Sequence, residues 1–145
     1  MLKAMGITIL LVLELTIAGC GSTTRLSGSI NGNWTATLAN ADGSTFSQFS
    51  ATFTQDADSE LNITNLTFTI PGPCAFFGGE GAAGSFTPTN GTFGMSMAAL
   101  NVGGPTLSLQ GTVSTGKISG TWSASGLVPP CSGNGTFTMQ LSTAG

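Results

Sequence analysis

Histidine and tyrosine are both missing from this 145-residue chain, and charge is scarce: three Lys+Arg and six Asp+Glu make up 6% of it, against roughly 25% in an average soluble domain. Without histidine there is no His-dependent catalytic triad, no imidazole general base, and no imidazole ligand for zinc or haem. Lys3, Arg25 and Lys117 are the only cations, and the net charge is −3. Phosphate neutralisation needs clustered Lys/Arg, so nucleic acid is excluded as a partner. The inventory of nucleophiles with an adjacent base is nearly empty, which argues against an enzyme. What fills the chain instead is Gly, Ser and Thr, with 22, 16 and 22 residues. A 40% hydrophobic content with low net charge is not that of a disordered chain. The length suits one domain.

The chain opens with Lys3 followed by an apolar run from Gly6 to Gly19. These are the n-region and h-region of a secretory signal. Fourteen residues are too few for a bilayer core of about 30 Å, which takes roughly 20 in a helix. Ile17-Ala18-Gly19-Cys20 resembles the lipobox of bacterial lipoproteins. That resemblance implies cleavage before Cys20, a diacylglyceryl group on its sulfur, and acylation of the new N-terminus. Several acyl chains, at about 0.8 kcal/mol per buried CH₂, make a stable anchor where one chain is marginal. Gly21, in place of Asp, implies sorting to the outer membrane. The expected organisation is a signal peptide over 1–19, a lipidated polar tether over 20–28 and a folded domain over 29–145.

From Ser29 onward hydrophobicity alternates with period two, and no helical period appears. Ile30, Trp34, Ala36 and Leu38 share one face; Phe49, Ala51 and Phe53 another; and the same holds for Phe93, Met95 and Met97. The runs Leu107 to Val113, Ile118 to Ala124 and Phe137 to Leu141 repeat it. Within 61–70 the phase flips between Ile63 and Leu66, which predicts a β-bulge near Thr64–Asn65. Turn chemistry separates the runs at 40–43, 55–59, 101–105 and 115–116. The reading is an all-β antiparallel meander of about eight strands. It buries its apolar face as a small barrel or as a β-sandwich. Large residues beside Gly and Ala on that face, as in a tapering interior, favour the barrel.

Ile30 to Thr37 and Ile118 to Ser125 both read I-x-G-x-W-[ST]-A-[ST]. The Gly-x-Trp strand at 30–38 resembles the opening strand of calycins, the lipocalin and avidin-like barrels. For the domain as a whole this implies an up-and-down barrel that holds either packed side chains or a small ligand.

With Cys20 taken by lipid, Cys74 and Cys131 remain, and an exported chain is expected to join them. That crosslink would close 58 residues (74 through 131), worth about 4 kcal/mol in the chain-entropy model. Asp56, Asp58 and Glu60 are weighed as a Ca²⁺ site and read as a solvated turn, since EF-hand spacing is missing. Gly78 to Gly84 lacks the Lys-Ser/Thr of a phosphate loop and reads as a flexible loop. Trp34 and Trp122 fall on the apolar face and read as core. Catalytic, cofactor-binding and metal-binding residues are therefore not expected. The functional expectation is a lipid-anchored, non-catalytic module of the cell envelope, structural or partner-binding. The alternative is a carrier of a small uncharged apolar ligand; the many large apolar inward residues favour a mostly packed interior, in which Gly32, Gly111 and Gly120 are the possible gaps.

Overall fold

Alternating apolar and hydroxylated residues give each run one face to bury and one to wet, and the chain folds as eight strands accordingly. The computed structural model describes residues 29–70, 81–98, 104–126 and 131–142. The strands are β1 (Gly32–Asn40), β2 (Thr45–Gln55), β3 (Glu60–Ile70), β4 (Ala82–Thr87), β5 (Thr92–Ala98), β6 (Thr106–Ser114), β7 (Lys117–Ser125) and β8 (Gly133–Leu141). Every consecutive pair is antiparallel, and β1 also pairs with β8, so the sheet closes as a barrel in the order β1 to β8. The sandwich alternative is thereby set aside. Closure runs from Trp34↔Leu141 to Asn40↔Gly135.

The meander sorts the connections onto two ends. The N-terminal end carries residues 29–31, the turns 56–59, 88–91 and 115–116, and Ser142. There the Ser142 amide donates to the Asn33 carbonyl at 2.7 Å. The far end carries the 41–44 turn, and there β3, β5 and β7 end and β4, β6 and β8 begin.

Of three register shifts among the described residues, one of them between Gln48↔Ile70 and Phe49↔Phe68, two set the phase of the buried residues. Between β2 and β3 the register steps from Ser50↔Thr67 to Thr52↔Thr64, and Asn65 adopts a positive φ of 51°. This is the bulge expected at Thr64–Asn65. It lets Leu61 and Ile63 on one side, and Leu66 and Phe68 on the other, all pack on the core. The second lies between β1 and β2, where Leu38↔Ser47 gives way to Ala39↔Thr45. Phe46 and Ser47 are consequently both buried, and strict alternation from Phe49 backwards misses Phe46. Ser47 is kept satisfied by donating its hydroxyl to the Ile70 carbonyl at 2.9 Å.

One expectation is corrected here. Ala82, Ala83 and Gly84, read as part of a flexible glycine-rich loop, form the start of β4, and Phe86 on the same strand is fully buried. A strand of six residues with Ala and Gly at three positions offers almost no periodicity to read.

Tight interstrand contacts demand particular glycines. A Cβ on Gly120 would overlap the Gln110 carbonyl oxygen and lie 2.5 Å from the Gly111 Cα, its partner across the β6–β7 ladder. Substituting Gly120→Val therefore forces the ladder apart. Overpacking costs about 1–3 kcal/mol where side chains can yield, and here the obstruction is backbone. A fall in melting temperature of roughly 10 °C or more is expected, measured by circular dichroism melts of the two proteins side by side.

Candidate functional site: a filled lumen and a hydroxyl-lined wall

The interior is the first place where a barrel of this size would hold a ligand. Here it is crossed by side chains from opposite strands. Phe53 on β2 meets Phe93 on β5 with ring centroids 5.8 Å apart, and Phe93 meets Phe137 on β8 at 6.2 Å. Trp34 extends the chain of rings to Phe53 at 6.4 Å. At another level Phe46 stacks on Trp122 of β7 at 4.2 Å. Met95, Met97, Leu107, Leu109 and Met139 are buried around them. Leu66 and Phe68 are half-buried against the same cluster.

Both tryptophans are core, exposed by only 2% and 1%. Each indole N–H is satisfied by a backbone carbonyl at 2.8 Å: Trp34 donates to Ile30 and Trp122 to Ala39. Gly135 makes the second bond feasible, since a Cβ there would lie 2.8 Å from the Trp122 Nε1. The glycines weighed as possible gaps are closely approached by neighbouring atoms, in keeping with the packed interior that was expected. A Cβ on Gly32 would lie 2.7 Å from Leu141 Cδ1, and one on Gly111 2.9 Å from the Ser119 carbonyl carbon. Neighbouring atoms already occupy these spaces, because close strand approach, rather than a cavity, is what removes the side chain.

The outer wall is the second candidate. Its strand residues are mostly Ser, Thr, Asn and Gln with some Ala and Gly, Ile70 at the end of β3 being an exposed exception, and its charges are Glu60 and Lys117, each the first residue of its strand. The two sides of the wall differ. On β1–β3 the polar side chains bond to one another: Thr52 donates to Asn33 at 2.7 Å, Asn65 to Thr52 at 3.3 Å and Gln48 to Thr37 at 3.2 Å. They border a groove of about 360 Å³ beside the bulge. On β4–β8 two open grooves, about 340 and 310 Å³, share Ser108 and Gln110 in their linings.

The acidic residues serve turns. Asp56 Oδ1 accepts the backbone N–H groups of Asp58 at 2.9 Å and Glu60 at 3.0 Å, which fixes the turn where Ser59 has a positive φ of 68°. At the far end the Asp42 carboxylate accepts the Ser44 hydroxyl at 2.6 Å and the Ser44 amide at 2.9 Å. These bonds, the hydroxyl first, hold its pKa below the ordinary aspartate value. Among the described residues no three His, Cys, Asp or Glu side chains gather as metal ligands. Cys131 is half-buried at the far end, close to Gly126, where a Cβ would lie 2.8 Å from the Cys131 Cβ. Cys20, Cys74 and Glu80 lie outside the described residues. Alternation places Ser and Thr on the wet face of each strand; what the sequence does not show is their alignment into rows across β4–β8, which depends on register between strands.

No protein-family model, curated protein or solved structure matches the chain.

Among the described residues, rings from β2, β5 and β8 meet across the lumen, which argues against a guest there. An environment-sensitive apolar dye added to the folded protein is expected to show no saturable fluorescence gain. A stoichiometric gain, competed away by an uncharged apolar compound, would reverse the reading of the interior.

Proposed function

We propose that this chain is a lipid-anchored, non-catalytic module of the bacterial cell envelope, held to the membrane through Cys20 and presenting its barrel to a partner. The observation that carries the reading is the Phe53–Phe93–Phe137 contact across the lumen. It speaks against a carrier and leaves the exterior as the working surface. The polarity of the barrel supports anchoring through a tether. A membrane-spanning barrel turns an apolar band outward, whereas this wall turns Thr, Ser, Asn and Gln outward and its aromatic side chains inward. Contact with acyl chains then has to come from outside the barrel, which is the role given to the lipobox residues Ile17 to Cys20.

Chain direction fits the same arrangement. Residue 29 enters at the end with the short turns, and a tether over 20–28 reaches about 30 Å at most when extended. That end would face the membrane, and the far end would face away. An outer-membrane address, implied by Gly21, belongs to this reading, as does a Cys74–Cys131 crosslink at the far end. The crosslink would join the connection after β3 to the one before β8.

Two measurements test it. Cys20→Ala is expected to abolish incorporation of labelled fatty acid and to leave the leader uncleaved; lipid still attached to the mutant would refute the anchor. Non-reducing peptide mapping of the exported protein is expected to recover Cys74 joined to Cys131, with a lower melting temperature after reduction. Two freely alkylated thiols would refute the crosslink.

A further inference from the structure

The β4–β8 wall has a geometry that the reading above leaves unused. Register aligns its outward residues in two neighbouring rows across the strands. One row runs Ala83, Ser96, Ser108, Ser123 and Asn134; the other runs Ser85, Gly94, Gln110, Thr121 and Thr136. The two grooves on this wall lie along these rows and merge at Ser108 and Gln110. With strands about 4.8 Å apart, the combined trough is about 19 Å long. Its floor is lowest on β5, where Gly94 has no side chain between Ser85 of β4 and Gln110 of β6.

The hydrogen-bonding state of the trough sets it apart from the rest of this wall, where Thr106 and Ser125 bond each other at 2.8 Å. Among the described residues, the side chains of Ser96, Ser108, Gln110, Thr121, Ser123 and Asn134 make no intramolecular hydrogen bond, in contrast to the bonded Asn33–Thr52–Asn65 set on the other side. Each hydroxyl offers one donor and two acceptor lone pairs, and each amide offers two donors and an acceptor oxygen. The trough thus presents a row of unused donors and acceptors with no charge among them.

We propose that this trough binds an uncharged glycan chain laid across strands β4 to β8. The chemistry selects that occupant over the other classes. A polyanion needs clustered cations, and the trough lining has none. A lipid needs apolar surface, which this protein keeps in its lumen. Protein interfaces draw their energy from aromatic and Arg anchors in desolvated pockets, and short hydroxyl side chains supply no such anchor. A neutral polyhydroxylated chain presents alternating donors and acceptors, and Ser, Thr, Asn and Gln meet both. The proposal does not depend on the anchor: a Cys20→Ala chain that has lost its lipid is expected to bind the same polymer.

The test is native affinity electrophoresis of the full chain, purified in detergent, through gels containing hydroxyethylcellulose, amylose, dextran or galactomannan. A heparin gel serves as the polyanion control. Retardation by at least one neutral polymer and none by heparin is expected. The double variant Gln110→Ala/Asn134→Ala is expected to weaken binding about tenfold or more, since each lost hydrogen bond is worth a factor of several. Gly94→Leu, which fills the trough floor next to Ser85, is expected to abolish it. Thr52→Ala on the opposite side is expected to change nothing. Should Gly94→Leu fail to fold, the double variant bears the test alone. No retardation by any neutral polymer, retardation by heparin only, or equal binding by the double variant would each overturn the proposal.

Discussion

An eight-stranded barrel encloses a space just wide enough for side chains to fill, and the fold depends on how that space is filled. If the inward residues were smaller, the lumen would admit water beside apolar walls. If they were larger, the strands could not close. Rings from β2, β5 and β8 meet across the middle, while the Phe46–Trp122 stack joins β2 to β7. These contacts link strands that the hydrogen-bond ladder does not pair. They therefore bind the two halves of the meander to each other, a task that neighbour-to-neighbour pairing cannot perform alone.

Filling and closure are coupled through a few backbone positions. Trp122 lies in the core only because its N–H reaches the Ala39 carbonyl on β1 and because Gly135 on β8 leaves room beside its indole nitrogen. The same residues sit at the junction where β8 meets β1, with Ala39 opposite Thr136 and Asn40 opposite Gly135. An unpaired buried N–H would cost about 1–3 kcal/mol. One bond thus satisfies the indole and supports the closing seam.

Much of this was legible from alternation. Trp34, Phe49, Phe53, Leu107, Leu109, Trp122, Phe137 and Met139 were assignable to the interior because their strands keep strict period two, and the Asn65 bulge announced itself as a phase flip. Phe46 and Phe86 were not. Phe46 is buried through a bulge beside a turn, where a single residue gives no second phase to compare. Phe86 lies in a strand whose other inward positions, Ala82 and Gly84, carry too little hydrophobicity to mark a face. The glycines were ambiguous for a related reason. A glycine in a row of large apolar residues suggests empty space, yet Gly111 and Gly120 are directly opposite each other and mark strands pressed together. The two-row trough was invisible because it is a property of register between strands, and a single strand does not encode it.

Closure also bears on how a chain so poor in charge protects its sheet edges. Open sheets protect their edges with Lys, Pro, inward charges or bulges, because an unpaired strand recruits another chain. Barrel closure removes edges outright. Among the described residues, the place where pairing thins is β3, an eleven-residue strand against the six of β4, with register pairs at Glu60↔Ser85 and Leu61↔Gly84. There the chain places the Asn65 bulge, which twists the strand out of the flat geometry that templates pairing, and the Glu60 charge. With its edges managed by topology, the outer wall is released from the need for charge. That release is what permits a surface on β4–β8 made of neutral hydroxyl and amide groups, able to offer both donors and acceptors.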